Sequence, residues 1–422
     1  MRFAHQAKRW STPVLVAVCA WWYWKRCWLS QMPDGGPSDF KFYYLAARQV
    51  LHGRSPFLEG GYIYPPLLAC LLAPLALLNY LTARWVWFAA SHVALVLAAF
   101  LLWRYLGRDR LALAVIACVW AVGGAAEDGL GIGQVDAALV LLTVLAITGT
   151  GAVEAAAVAA GFALKFFPGL LVALPLLRRN WRRLAAAATG GGILLAAPWA
   201  LVAFGLAGPK APPRLDYLAG TPCVLSWSLP SLALRVAEWP QRDGRLPQDW
   251  VFGYDLPRVR HSAAQRELSL AVSAATLLAG LLALYRAAGG RVQYTGRAAA
   301  GAALMSLALA ASPICWWHYQ VLQYPGLAIL LVSALRQARP WLFCGALVNA
   351  AFLFPIPAAV LRFLYHQHER WPDLPTALCF WTAVPAAATL VLFAFLTASL
   401  RSPKAESRTE PAEIADTVGA GV

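Results

Sequence analysis

Residues 84–103 read RWVWFAASHVALVLAAFLLW, and RYLGRDR follows directly at 104–110. The first run matches the roughly 20 apolar residues that a helix needs to cross a bilayer core of about 30 Å. The second gathers Arg104, Arg108 and Arg110 around a glycine turn. Cationic turns of this kind are retained on the cytoplasmic side, where they also meet anionic headgroups. An apolar run closed by a basic turn recurs along the chain, so the fold follows from lipid being its main solvent.

Working outward, a first spanning helix covers about Ser11 to Ser30. Further apolar segments fall near 65–80, 111–126, 135–150, 153–177, 184–206, 267–286, 298–311, 321–335, 341–360 and 376–399. Of the whole chain, 60% is hydrophobic and 13% charged, too little charge to cover a soluble protein of 422 residues. The expected fold is an all-α polytopic membrane bundle of about 11–13 transmembrane helices, with surface helices in its outer loops. A single domain is expected over 1–400, with outer loops at about 31–64 and 208–265. The charged tail at 401–422 has the composition of disorder. The N-terminal run carries Trp21, Trp22, Trp24 and Trp28 beside Lys25 and Arg26, and has no small-residue cleavage site, so it reads as a span rather than a secretion signal.

The net charge of +15 sits in turns between apolar runs: Arg2 to Arg9, Arg104 to Arg110, Arg178 to Arg183, Arg286 to Arg297, Arg336 to Arg339 and Arg401 to Arg408. No basic-aromatic groove accompanies it, which argues against nucleic acid as a partner. The eight cysteines show no CxxC spacing, and neither a metal site nor a cofactor is expected.

Sidedness does not close on this segment list. Placing both Arg104–Arg110 and Arg178–Arg183 in the cytoplasm needs an even number of crossings between them, and 111–126, 135–150 and 153–177 supply an odd one. The first loop likewise needs an odd number of crossings before Arg104. Two half-spanning helices or a re-entrant segment would repair the count. Broken backbone at membrane depth is tolerated where it lines a cavity, so a cavity is expected in this region.

In the first outer loop, 37–53 (PSDFKFYYLAARQVLHG) carries helix punctuation. Ser38 suits the N-cap, Asp39 the first turn and Gly53 the position after the C-cap. Phe40, Tyr43, Tyr44, Ala47, Val50 and Leu51 share one face, so the helix should lie along the membrane surface. The helix dipole there favours an ionised Asp39. Asp39 is then either a plain first-turn residue or a carboxylate poised to take a proton. Tyr64-Pro65-Pro66 marks the next helix start. No internal repeat is visible, which weakens a transporter reading.

The order of motifs is informative. An outer-loop Asp-Phe-x-x-Tyr-Tyr-x-Ala at Asp39 precedes Tyr-x-Tyr-Pro-Pro at Tyr62 to Pro66. Gly-x-Gly-Gln-Val-Asp follows at Gly131 to Asp136, then Leu-Lys-Phe-Phe-Pro at Leu164 to Pro168, and Ser-Pro-Ile-Cys-Trp-Trp-His-Tyr at Ser312 to Tyr319. Over about 35–340 this resembles glycosyltransferase family 87, the polyprenol-phosphate-mannose-dependent mannosyltransferases of GT-C architecture. The resemblance implies inverting transfer of a hexose, with mannose expected, from a polyprenyl-phosphate donor to a lipid-linked or glycan acceptor. It implies a multi-pass protein of the plasma (inner) membrane with its site on the periplasmic or exterior face. It places the catalytic base on Asp39 and a further catalytic role on His318. Where relatives read Asn-Gln-Ser before an arginine, this chain reads Ser226-Trp227-Ser228 before Arg235.

The chemistry agrees with such a reaction. Glycoside hydrolases pair two carboxylates because a sugar oxygen leaves poorly without a proton. A phosphate leaves readily, so one base suffices and cations must stabilise the departing group. Lys165 stands in an otherwise apolar stretch, where a charge is costly and presumptively functional, unless it snorkels to an interface. Lys165 is expected at the donor phosphate, with Arg235 a weaker candidate. Gln134 is expected to offer its amide to sugar or phosphate. Tyr43, Tyr44, Tyr64 and Trp317 are candidates to stack on sugar or lipid. A carrier or flippase for lipid-linked sugars is the alternative, since the same polar residues would line its path; an O-antigen-ligase-type enzyme would not need Asp39.

Overall fold

A computed structural model describes residues 2–34, 36, 38–58, 61–205, 226–238, 262–289, 296–354, 359–360, 381 and 383–400. Most of the expected second outer loop (208–265) and the charged tail lie outside the described residues, as do parts of the segments expected at 341–360 and 376–399. The protein is an all-α bundle; among the described residues the one β feature is an isolated bridge between Ser226 and Trp316. Helix α1 (Arg2–Tyr23) continues through a π-helical turn at Trp24–Trp28. Helix α2 (Asp39–Leu51) is the first-loop helix, and α3 (Pro66–Leu72) starts on its proline as expected. Then follow α4 (Tyr80–Tyr105), α5 (Arg110–Val122), α6 (Gly124–Gly131), α7 (Asp136–Thr148), α8 (Ala152–Leu164), α9 (Ala173–Leu177) and α10 (Trp181–Ala200). The rest comprises α11 (Leu229–Glu238), α12 (Ala263–Ala287), α13 (Arg297–Ala311), α14 (Tyr324–Arg336), α15 (Pro340–Leu353) and α16 (Ala383–Ser399).

Side-chain caps start several of these helices. Asn79, Asp109 and Asn180 accept from the backbone N–H groups of Thr82, Ala112 and Arg183, and Ser262 with Gln265 forms a capping box. Among the described residues three helices are long and apolar enough to cross a membrane, Tyr80–Tyr105, Trp181–Gly205 and Ala263–Ala287. A fourth candidate is the pair α5 and α6, bent by 55° at Gly123. These long helices carry the apolar side chains left open to lipid, such as Val93, Phe204 and Leu278. Inside them run shorter ones. Helices α7 and α8 have 13 residues each, so each rises only about 20 Å. Most of their side chains are buried, because helices rather than lipid surround them.

The bundle has two chemically different ends. At one, Arg336 donates to Leu106 O and pairs with Asp109 at 2.6 Å. At the same end Arg297 donates to Ala146 O at 2.8 Å, and Arg178, Arg183 and Arg297 all reach Glu154 Oε2, at 3.4, 2.8 and 3.3 Å. At the other end lie Asp39, Asp128, Asp136, Lys165 and His318.

These contacts close the crossing count that the segment list left open, and correct two of its segments. The stretch expected as one span at 153–177 is two, broken at Lys165. Helix α8 (Ala152–Leu164) carries the chain from the Glu154 end to Lys165, its C-cap, and a 3-10 turn at Phe167–Val172 with α9 returns to Arg178. Four elements therefore join Arg110 to Arg178: α5 with α6, α7, α8, and the returning segment. The stretch at 65–80 does not cross. Tyr44 OH bonds Leu78 O at 2.7 Å and Ser38 Oγ bonds Tyr80 OH at 2.8 Å, so the chain leaves this segment beside the helix that precedes it. Its seven-residue helix and the 3-10 turn at Ala73–Leu77 pack on α2 instead.

Glu154 is fully buried beneath its three arginines. Removing one member of a buried ionic cluster costs about 3–5 kcal/mol, whereas an exposed pair contributes about 1 kcal/mol or less. Glu154→Ala should therefore lower the thermal unfolding midpoint of detergent-solubilised protein far more than Arg336→Ala, whose pair with Asp109 is half-exposed.

Candidate active site

The site is assembled by backbone at the start of α2 and at the turn between α6 and α7. Phe40 N donates to Ile132 O at 3.2 Å, which seats the first turn of α2 on that turn. Gly133 has φ +74°, and a Cβ there would stand 2.7 Å from the Phe40 Cβ. Only glycine permits both the conformation and the approach. The consequence is that Asp39, at the head of α2, meets Gln134, the next residue of the turn.

Gln134 Nε2 donates to Asp39 Oδ2. Its Oε1 accepts from Tyr43 OH and Tyr64 OH, each at 2.8 Å. Lys165 Nζ lies 3.5 Å from Tyr64 OH and 3.3 Å from Asp136 Oδ1. The same ammonium sits over the Tyr319 ring, 3.4 Å from its centroid, with the Tyr64 and Phe167 rings at 5.1 and 5.5 Å. A cation held this way is stabilised by ring quadrupoles as well as by its carboxylate. His318 stands between two carboxylates: Nδ1 is 3.4 Å from Asp128 Oδ2, and Nε2 is 3.7 Å from Asp136 Oδ2. Asp39, Gln134, Tyr43, Tyr64, Lys165 and His318 thus form one polar cluster.

Beside Lys165 opens a cavity of about 460 Å³. It lies where the sidedness argument expects one, at the break between α8 and the returning 3-10 turn. Its wall is mostly apolar, including Ile63, Pro65, Phe166, Leu170, Leu277 of α12 and Ala308 of α13. Tyr64, Lys165 and Tyr319 supply polar groups at its head. The volume suits a drug-sized ligand.

The other expected residues lie apart from this cluster. Tyr44 donates to Leu78 O and packs edge-on against Tyr80. Trp317 turns toward Trp227, their rings 6.1 Å apart, while its neighbour Trp316 lines the cavity. Arg235 is buried and donates to Ser226 O at 3.1 Å. With Trp227 N donating to Cys315 O at 2.6 Å, that contact fastens the start of α11 to the Trp316 segment.

Ser38 flanks α2 as expected, but its hydroxyl bonds Tyr80 rather than the helix backbone. Gly53 follows the helix with φ +68°, as a residue after the C-cap should. The electrostatics of Asp39 differ from expectation. Burial pushes its carboxyl above the usual range, against His318, the Gln134 amide and Lys165, which all favour the charge; Asp128 adds to the rise. Desolvation outweighs the helix dipole because the first turn of α2 is seated on the turn between α6 and α7, while Lys41, Phe42, Arg48 and Leu51 stay on its open face.

Three residues that sequence reasoning did not single out complete the cluster: Asp128, Asp136 and Tyr319. The signal was present for the two aspartates, since carboxylates flanking apolar helices are as costly as Lys165. Among the described residues, no group of three or more His, Cys, Asp or Glu side chains is placed to hold a metal ion.

The family model of glycosyltransferase family 87 matches residues 62–219, a stretch that holds Tyr64, Gln134 and Lys165. That match bears out the resemblance carried by the motifs. No curated protein matches the chain at a significant level. Among solved structures, the chain is similar to ArnT from Cupriavidus metallidurans in the apo state, with 16% identity over 94% of this chain and 78% of that one, and a TM-score of 0.41. It is also similar to the same protein bound to undecaprenyl phosphate, at 16% identity over 92% and 77%, with a TM-score of 0.36.

Lys165 and Asp136 compensate each other at membrane depth. Lys165→Met leaves a buried carboxylate behind and should cost about 3–5 kcal/mol. Adding Asp136→Asn should recover more than half of that loss, a non-additivity that a double-mutant cycle of thermal unfolding in detergent reads directly.

Proposed function

We propose that this integral membrane protein is an inverting glycosyltransferase that takes a hexose, mannose as first choice, from a polyprenyl-phosphate donor. One observation supports the reading above others: the ammonium at the head of an apolar cavity, Lys165, is two side chains from the carboxylate of Asp39 through Tyr64 and Gln134. An isoprenoid tail needs an apolar channel, its phosphate needs a cation, and the acceptor hydroxyl needs a base. The cluster offers each in that order. The match to a glycosyltransferase family over the stretch holding Lys165 and Gln134 supports the same class.

In this reaction the acceptor oxygen attacks the anomeric carbon from the face opposite the phosphate. Its proton passes to Asp39, the bond between the anomeric carbon and the phosphate oxygen breaks, and polyprenyl phosphate leaves with the electron pair. Lys165 balances the charge that gathers on the phosphate. In this structure its partner is Asp136, so a bound phosphate competes with that carboxylate for the ammonium. His318, between Asp128 and Asp136, is within the same cluster and suits a second phosphate contact. The two-ended charge pattern supports a basic end in the cytoplasm and a site facing the periplasm or cell exterior.

Asp39→Asn should insert normally and lose transfer by at least about a hundredfold, the usual worth of a general base. The measurement is covalent incorporation of label from polyprenyl-phosphate mannose in proteoliposomes; full transfer by the variant would remove Asp39 from the mechanism. A carrier would move label between leaflets without making a new product. The pH dependence has a sign. The base acts ionised, and burial raises its folded-state pKa. Transfer should therefore fall as pH drops through a value above the ordinary aspartate pKa of about 3.9, and Asp39→Glu should move that limb.

A further inference from the structure

Every polar group of the Gln134 side chain is engaged. The oxygen accepts from two phenols and the nitrogen donates to a carboxylate, in a residue that is almost wholly buried. A carboxamide is nearly symmetric in shape, so its orientation is set by its neighbours. An ionised carboxylate only accepts, which turns the Gln134 NH₂ toward Asp39. The oxygen then faces Tyr43 and Tyr64, whose hydroxyls donate to it. Those rings meet edge to face with centroids 5.0 Å apart, and both are buried. Gln134 N also donates to Gly129 O at 2.8 Å, which fixes the root of the side chain. Two donors on the amide oxygen polarise the amide and strengthen its donation to Asp39.

We propose that Gln134 is a positioning residue: its tyrosine-clamped amide occupies Asp39 Oδ2, fixes the carboxylate plane, and leaves Oδ1 as the oxygen that takes the acceptor proton. This differs from an amide whose first task is to bind the sugar or phosphate, because the oxygen and one of the two N–H groups are already taken by Tyr43, Tyr64 and Asp39. The inference rests on Asp39 being the base. It also gives Tyr43 and Tyr64 a task other than stacking on sugar.

The groups that face Asp39 are His318 from the 3-10 turn at Trp317–Gln323, Lys165 at the end of α8, Asp128 of α6, and the Tyr43–Tyr64–Gln134 clamp. Gln134→Glu keeps the size and both phenol contacts but sets a second carboxylate against Asp39. Like charges in one site raise a pKa by about one unit or more. The acid limb of kcat/KM should move up by about that amount, with the donor KM changed less than about threefold. Tyr43→Phe, which touches neither Lys165 nor the cavity, keeps the charge of the site and loosens the amide; kcat should fall several-fold at unchanged donor KM, the signature of lost orientation.

An unmoved acid limb in Gln134→Glu, with the protein folded by thermal unfolding, would overturn the proposal. So would a raised donor KM at unchanged kcat, which marks a substrate contact. If the Gln134 variant does not fold, Tyr43→Phe decides, since wild-type kcat there also overturns it. The two readings separate cleanly. Transfer by Asp39→Asn removes the base itself, whereas an inactive Asp39→Asn beside an unmoved Gln134→Glu limb removes only the clamp.

Discussion

The ion pair between Lys165 and Asp136 is the constraint on which the membrane-embedded part of this protein turns. Each charge alone, at the end of a short helix among apolar neighbours, would be too costly to keep. Together, and with the Tyr319 ring against the ammonium, they hold the C-terminal end of α8 beside the first turn of α7. That juxtaposition breaks the chain at Lys165 and opens the cavity between the break and α12 and α13. The backbone is irregular there where it lines a space and is enclosed by protein, circumstances in which irregular backbone is tolerated at membrane depth. Polar chemistry and fold are therefore not separable at this point: the pair that makes the site also makes the break.

The opposite end obeys a different rule. Three guanidiniums on the Glu154 carboxylate tie the starts of α8 and α13, the Arg178 turn and the head of α10 into one bracket. Arginine suits that task because its planar fork serves several acceptors at once, as Arg297 does with Ala146 O and Glu154. The site end gathers carboxylates and aromatic hydroxyls around Lys165, and its arginines stand in separate pairs, Arg26 with Glu127 and Arg84 with Asp34.

How far could this be read from the chain alone? The membrane class, the first-loop helix with its glycine end, and the proline start of α3 follow from composition and punctuation, which act locally. The parity of the basic turns even pointed to a broken segment and a cavity. What the chain did not reveal is which apolar runs were broken. Residues 153–177 are apolar throughout except at Glu154 and Lys165, and hydropathy does not distinguish one long span from two short buried ones. The cluster was half legible for a similar reason. Asp39, Lys165 and His318 stood out as charges beside motifs, but the partners of Gln134 depend on Gly133 letting α2 sit against the turn, a contact across almost a hundred residues. Asp39 shows the same limit, since the dipole of its own helix is local and the burial that outweighs it is not.

The short inner helices have one more effect. Rising about 20 Å where the hydrocarbon layer is about 30 Å thick, α7 and α8 fall short of it by roughly a third. Their arginine-tied ends belong at the polar boundary, so the deficit accumulates at the other end. The polar cluster around Lys165 then sits in a recess sunk below the neighbouring headgroups, with the long outer helices as its rim. For the proposed reaction, a lipid carrier would come in from the side with its tail in the bilayer, its phosphate drawn down from headgroup level into the recess. A wholly water-borne molecule would instead have to descend into a dimple, so the proposed reaction suits acceptors that are themselves moored in the bilayer.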